Sequence, residues 1–90
     1  MNTERFLVTG RVQGVGFRYF VYHTARKIGV VGYVKNLPDG RVECGARGTP
    51  EQLAQLLTAL RKGPSMSQVD QVQRDPGATI ADTGRFEMTY

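Results

Sequence analysis

Hydrophobic residues recur with two different periods along the 90 residues of this chain, and the changes of period mark the boundaries of predicted elements. Spacings of three and four residues predict two helices with one apolar face each, while β-rich runs between turn residues predict strands. The predicted order is strand, helix, strand, strand, helix, strand and a short final strand, at residues 5–12, 17–28, 30–37, 41–47, 50–62, 66–74 and 86–90.

Residues typical of turns and helix ends agree with these boundaries. Gly29 suits the end of the first helix, and Pro38-Asp39-Gly40 predicts a tight turn between the second and third strands. Thr49 and Gln52 have the spacing of a capping box, which predicts the start of the second helix. The segment 75–84 has the composition of a loop.

The strand pattern predicts a sheet with one buried face. In the strand at 41–47, Cys44 shares its side with two other apolar residues, so we expect it in the core. Val69 and Val72 stand three residues apart in the next strand, which predicts a bulge or an irregular entry. Two helices on one face of an antiparallel sheet of four to five strands would bury both apolar stripes. The predicted fold is therefore α+β, a ferredoxin-like split βαβ sandwich forming a single domain over residues 1–90.

Composition and charge exclude several classes of protein. The net charge of +4 favours an anionic partner, but the basic residues form no run of five and therefore no nucleic-acid arm. With one cysteine and one histidine, the chain has neither an internal disulfide framework nor a credible zinc or iron site. No apolar run approaches the length of a membrane span or a signal peptide, so we expect a cytoplasmic protein that binds no membrane.

The segment Val12-Gln13-Gly14-Val15-Gly16-Phe17-Arg18 joins the first strand to the first helix. Its two glycines allow a tight turn whose N–H groups point into one concavity, where the positive end of the helix dipole also lies. Arg18 adds a planar cation suited to two oxygens of a phosphate or carboxylate. The predicted phosphate-binding loop consists of Gln13, Gly14, Val15, Gly16, Phe17 and Arg18.

Single residues of this region also have simpler explanations. An arginine in the first turn of a helix is usually a solvated or ion-paired surface residue, and the helix dipole disfavours a cation there. Asn36, at the end of the second strand, is of a type that commonly caps the turn that follows. In a split βαβ sheet, however, that strand end lies beside the loop, where the Asn36 amide could orient a water near a bound phosphate. His23 falls outside the apolar face of its helix and is expected on the surface.

With these residues in place, the chain resembles the acylphosphatases over nearly its whole length. The resemblance rests on Gly10-Arg11-Val12-Gln13-Gly14-Val15-Gly16-Phe17-Arg18, on Ala25, on Ile28-Gly29-Val30-Val31-Gly32-Tyr33-Val34-Lys35-Asn36 and on Asp39-Gly40-Arg41-Val42-Glu43. Tyr33 stands where the family often has tryptophan, which we expect to alter packing rather than chemistry. The segment 70–84 carries little of the family's pattern.

The resemblance implies metal-independent hydrolysis of the carboxyl–phosphate bond of acyl phosphates to a carboxylate and inorganic phosphate. By position, the family's phosphate-binding arginine falls on Arg18 and its water-orienting asparagine on Asn36. The expected partners are therefore a small-molecule acyl phosphate and inorganic phosphate, and the chain is expected to act as a monomer without a cofactor.

Two other functions stay open at this point. Acylphosphatase-like domains are also fused within larger carbamoyl-transfer proteins, so the fold and cradle would also suit an anion-binding or regulatory module without turnover. Gly14-Val15-Gly16-Phe17 weakly resembles the aromatic RNA-binding signature of an RRM domain. That signature belongs on a central strand with outward aromatics, whereas Phe17 opens a helix and is expected to point inward. We therefore expect no nucleic-acid partner.

Overall fold

The computed structural model describes residues 1–81 and 83–89, which form five strands and two helices. Their bounds are β1 (Asn2–Arg11), α1 (Phe17–Ile28), β2 (Val31–Asn36), β3 (Val42–Gly48), α2 (Pro50–Lys62), β4 (Gln68–Pro76) and β5 (Phe86–Met88). The strands lie in one sheet in the order β4-β1-β3-β2-β5, and both helices pack against it. The predicted ferredoxin-like α+β sandwich is confirmed.

The sheet is mixed rather than entirely antiparallel. β1 pairs antiparallel with both β3 and β4, and β2 pairs antiparallel with β3, whereas β5 lies parallel to β2. This direction arises because the chain crosses from β4 at one edge of the sheet to the opposite edge, where it runs alongside β2. Of the final strand predicted at 86–90, residues Phe86–Met88 are observed; Tyr90 lies outside the described residues, as does Asp82 of the predicted loop.

The irregularity predicted from the valine spacing is present where β4 meets β1. The register of this pair shifts between Thr9 and Gly10, so that Thr9 faces Gln71 and Gly10 faces Val69. Val72 thereby stays opposite Val8, and both β4 valines still pack against the core despite their three-residue spacing. The register shift therefore keeps both valines on the core side of β4, although apolar and polar residues do not alternate regularly along it.

The core lies between the sheet and the two helices. It takes one side of each inner strand and the apolar face of each helix, with Phe6, Val8, Val34, Val42, Cys44, Ala46, Phe17, Val21, Ala25, Leu53, Leu56, Leu57 and Leu60 all buried. The expected place of Cys44 in the core is confirmed, and burial raises the pKa of its thiol. Neither helix of the described residues is long and apolar enough to cross a membrane.

The helix ends form as the turn residues predict. The Thr49 hydroxyl accepts a hydrogen bond from the Gln52 N–H, and the Gln52 Oε1 accepts one from the Thr49 N–H, which completes the capping box. The Gln52 side chain also donates to the Ile28 carbonyl at 3.2 Å, which ties the start of α2 to the end of α1. Gly29 ends α1 in the left-handed conformation and donates its N–H to the Ala25 carbonyl.

Candidate active site

Two strands that end at the same edge of the sheet bring the predicted site residues together. β1 and β2 are both antiparallel to β3 and therefore run in the same direction, so their C-terminal ends lie side by side. The loop to α1 follows β1, and Asn36 is the last residue of β2. Between them is a cleft of about 370 Å³, and the predicted residues that line it are Gly14, Gly16, Phe17, Arg18 and Asn36.

The loop backbone depends on its two glycines. Gly14 has φ 73° and Gly16 has φ 77°, which is the left-handed region that other residues adopt only at a cost. A Cβ at either position would meet nothing within 4 Å, so the requirement for glycine comes from the backbone and not from crowding. Because both residues line the cleft, the absence of their side chains also keeps the backbone accessible there.

The first turn of α1 opens onto this cleft without a capping side chain. Gly16 is the N-cap residue of α1, no side-chain hydrogen bond caps the helix there, and its first turn contains no acidic residue. The first N–H groups of a helix lack intrahelical acceptors and carry the positive end of its dipole. Within the described part of the chain, the entry to α1 therefore has the electrostatic character of an anion site.

Arg18 reaches from this first turn to the last strand. It is half-buried, and its Nη1 donates a hydrogen bond to the Thr89 carbonyl at 2.8 Å. Thr89 directly follows β5, and its N–H donates to the Val34 carbonyl of β2 at 2.9 Å. The end of the chain thus fixes the orientation of the Arg18 guanidinium beside the cleft. This contact could not be predicted from the sequence, because every residue type carries a backbone carbonyl.

Asn36 lines the cleft, and its side chain carries an unpaired acceptor. Its Oδ1 is buried and has no hydrogen-bond donor among the described residues. Buried polar side-chain atoms are nearly always paired with protein or water, so an acceptor like this one marks a place for a ligand or an ordered water. The side chain does not cap the following turn through this oxygen, which was the simpler explanation of an asparagine at a strand end.

Two side chains of the predicted phosphate-binding loop point away from the cleft. Val15 packs against the core, and Gln13 donates from its Nε2 to the Leu37 carbonyl at 2.7 Å and to the Arg41 carbonyl at 2.9 Å. Neither residue lines the cleft. Gln13 instead ties the loop to the turn that follows Asn36, and so connects the two halves of the site.

The remaining lining residues are apolar, and the sequence did not single them out for the site. They are Val12 at the end of β1, Tyr19 in α1 and Met88 in β5. Their types are ordinary for core or surface positions, and only the folded chain shows that they meet at one cleft. Of residues 1–81 and 83–89, no histidine, aspartate or glutamate lines it.

The other titratable candidates lie elsewhere. His23 is exposed, as expected, and contacts the Tyr19 ring in a tilted arrangement with 4.6 Å between centroids. Asp39 is in the exposed turn, where hydrogen bonds from Arg41 lower the pKa of its carboxyl. Residues 1–81 and 83–89 contain no group of three or more histidine, cysteine, aspartate or glutamate side chains placed to bind a metal.

Comparison with known proteins gives consistent matches over the whole chain. A family model described as Acylphosphatase matches residues 4–88, a range that includes every residue lining the cleft. A protein of Pasteurella multocida named Acylphosphatase is 48% identical over 90 residues, covering 100% of both chains. One of Koribacter versatilis with the same name is 53% identical over 87 residues, covering 97% of this chain and 79% of its own length. The crystal structure of acylphosphatase from Bacillus subtilis has a TM-score of 0.94 at 40% identity and covers 100% of both chains.

Proposed function

This chain belongs to the acylphosphatase family and is an enzyme that hydrolyses acyl phosphates, and we propose that Arg18 and Asn36 carry the reaction in the cleft beside the loop. The observation that supports this most directly is the buried Oδ1 of Asn36, an acceptor with no donor among the described residues, on a residue that lines the same cleft as Arg18. The two groups suit two different parts of one reaction, namely the attacking water and the phosphoryl group.

Arg18 and the loop would bind the phosphoryl group. The guanidinium supplies positive charge and N–H donors to the phosphoryl oxygens, and the backbone N–H groups around Gly14, Gly16 and the start of α1 supply further donors. Charge on these oxygens is redistributed as the phosphoryl group is transferred, so donors already held in place stabilise the transition state. The hydrogen bond from Arg18 to Thr89 contributes by fixing the guanidinium in advance.

Asn36 would hold the water that attacks phosphorus. Its Oδ1 accepts a hydrogen bond from the water and leaves an oxygen lone pair directed at the phosphorus atom, in line with the bond that breaks. The new P–O bond forms as the bond to the carboxyl oxygen breaks, and the bonding electrons leave with the carboxylate. The proton lost by the water passes to a phosphate oxygen of the substrate, so the products are a carboxylate and inorganic phosphate.

This route needs neither a general acid nor a metal. A carboxylate is a weak base and leaves without being protonated, so the reaction does not depend on a proton donor beside the leaving group. Positioning and electrostatic stabilisation then supply the rate enhancement. We therefore expect turnover in the presence of EDTA.

The proposals on oligomeric state, nucleic-acid binding and cellular location rest on other observations. Every group assigned to the site comes from one chain, which favours a monomer that binds acyl phosphate and phosphate. Phe17 is buried in the core rather than displayed on the sheet, which argues against nucleic-acid binding through an RRM-like surface. The lone Cys44 forms no internal disulfide, as is usual in the cytoplasm, where we place the protein.

The test is hydrolysis of acetyl phosphate with EDTA by the wild type, by Arg18→Ala and by Asn36→Ala. We expect kcat/KM to fall by about 10³-fold or more for Arg18→Ala, and kcat by about 10²- to 10³-fold for Asn36→Ala with little change in KM. Arg61→Ala, an exposed arginine away from the cleft, is the matched control and should keep wild-type rates. Near-normal turnover by a folded Arg18→Ala or Asn36→Ala would contradict the assigned roles. No hydrolysis by the folded wild type would favour the binding-module alternative.

A further inference from the structure

One large aromatic side chain stands at the cleft without a role in the chemistry above. Tyr19 directly follows Arg18 in the first turn of α1, lines the cleft and is 60% exposed. A single exposed aromatic needs no explanation on a protein surface. Beside a site that binds a phosphoryl group, however, an aromatic ring can contact the acyl part of the same substrate.

The Tyr19 ring is supported from the side. It contacts the His23 ring in a tilted arrangement at 4.6 Å between centroids, and His23 meets Tyr22 edge-on at 5.3 Å. The Tyr22 hydroxyl in turn accepts a hydrogen bond from Arg26 at 2.6 Å. These contacts along α1 restrict the rotamers of Tyr19, so less conformational entropy is lost when a ligand packs against it.

The acyl half of the substrate must lie against the apolar part of the lining. The attacking water and the leaving acyl group lie on opposite sides of the phosphorus atom, so the acyl group does not occupy the position beside Asn36. Val12 and Phe17 are each only 1% exposed and offer little surface, whereas Tyr19 and Met88 are exposed or partly exposed. Tyr19 and Met88 are therefore the apolar side chains that an acyl group can cover.

We propose that Tyr19, together with Met88, forms an acyl-binding surface that makes the enzyme prefer aromatic or other flat apolar acyl phosphates over short aliphatic ones. The inference rests on the proposed function, because it places the phosphoryl group beside Arg18. An aryl group stacked on Tyr19 gains an aromatic contact and buries apolar area, and an acetyl group has too little surface to do either. Tyr19 is thus a specificity-determining residue, and it takes no part in moving protons or holding water.

The test compares benzoyl phosphate with acetyl phosphate in the wild type, Tyr19→Ala and Tyr19→Phe. We expect Tyr19→Ala to lower kcat/KM for benzoyl phosphate about tenfold, mainly through KM, and to change kcat/KM for acetyl phosphate less than about twofold. Tyr19→Phe keeps the ring and should keep the preference. Met66→Ala removes an exposed apolar side chain outside the cleft, so its benzoyl-to-acetyl ratio should match that of the wild type.

Binding of unreactive analogues separates this inference from the chemistry. In phenacylphosphonate and acetonylphosphonate a CH₂ group replaces the bridging oxygen of benzoyl and acetyl phosphate, and both can be titrated as inhibitors. Tyr19→Ala should weaken only the phenacyl compound, by about tenfold. Equal loss for both compounds, or no loss for either, would overturn the role of Tyr19. The assignment of Arg18 and Asn36 fails on a different observation, namely acetyl phosphate turnover that survives their replacement.

Discussion

Gln13 connects the two halves of the site and provides a test of how the fold positions the reacting groups. Its Nε2 donates to the Leu37 carbonyl at 2.7 Å and to the Arg41 carbonyl at 2.9 Å, both in the turn that follows Asn36. Gln13→Ala removes both N–H donors, and the side chain that it shortens does not itself line the cleft. The variant thereby removes the side-chain hydrogen bonds between the loop and the turn after β2.

The effect of Gln13→Ala on stability depends on the hydrogen bonds that the Leu37 and Arg41 carbonyls still accept in the variant. The Leu37 carbonyl still accepts from the Gly40 N–H at 3.1 Å, and the Arg41 carbonyl from the Leu37 N–H at 2.8 Å, so neither becomes an unpaired acceptor. The loss is then the net value of two ordinary hydrogen bonds, about 1–2 kcal/mol in total. For a domain of this size this corresponds to a fall in Tm of about 5–15 °C. The variant should remain folded at 25 °C.

The effect on activity is expected to appear in kcat. If Gln13 holds the strand end that carries Asn36, its loss lets the Asn36 amide move away from the water, and a displacement of about 1 Å lowers the rate by up to about 10²-fold. We expect kcat for acetyl phosphate to fall about tenfold with KM nearly unchanged. Gln55→Ala, at an exposed position of α2, is the matched control and should leave both constants unchanged.

A double-mutant cycle decides whether Gln13 acts through Asn36. In an Asn36→Ala background there is no water-holding amide left to misplace, so adding Gln13→Ala should lower kcat by less than twofold. Thermal unfolding followed by circular dichroism, together with steady-state kinetics on all four proteins, provides the data. Full additivity of the two kcat losses, or a loss of Tm without any loss of kcat, would refute the positioning role.

Two further predictions concern the loop and the turn. Gly16→Ala should lower Tm by about 4–8 °C, since a left-handed alanine costs roughly 1 kcal/mol, and it should also raise KM. Gly77 has the same φ of 77° and equally open surroundings away from the cleft, so Gly77→Ala should lower Tm equally but leave KM unchanged. Equal KM values for the two variants would contradict this. Because Arg41 lowers the pKa of Asp39 below 3.8, the stabilisation by this carboxylate is present above that pH and is lost as the pH falls through the folded-state pKa. The difference in Tm between the wild type and Asp39→Asn should therefore shrink below pH 3.8, and a difference independent of pH would show that Asp39 acts by another route.

Much of the fold could be predicted from local signals in the sequence. The capping box of Thr49 and Gln52 forms as its spacing indicates, and Gly29 ends α1, because both depend on residues a few positions apart. The parallel entry of β5 beside β2 could not be derived in this way. It depends on which edge of the sheet the chain reaches after β4, and no short-range pattern encodes that path.

The site shows the same division between local and long-range information. Gly14, Gly16, Arg18 and Asn36 could be selected because each residue type has a distinctive property, either backbone freedom, permanent charge or a side-chain amide. Their meeting at one cleft followed from the parallel directions of β1 and β2. Tyr19 and Met88 could not be assigned to the site in the same way, since nothing in an aromatic or a methionine distinguishes a cleft rim from a core.

The chemistry of the reaction explains why the supporting contacts carry so much weight. A leaving carboxylate needs no proton, so the proposed reaction requires no acid–base pair with matched pKa values, and its rate depends on where the guanidinium and the water are held. Arg18 is held by a backbone carbonyl of Thr89, and the turn after Asn36 is held by the side chain of Gln13. Both contacts join segments that are far apart in the sequence. If positioning dominates catalysis here, replacing Gln13 changes the rate without touching a reacting group, and this is the consequence that the double-mutant cycle measures.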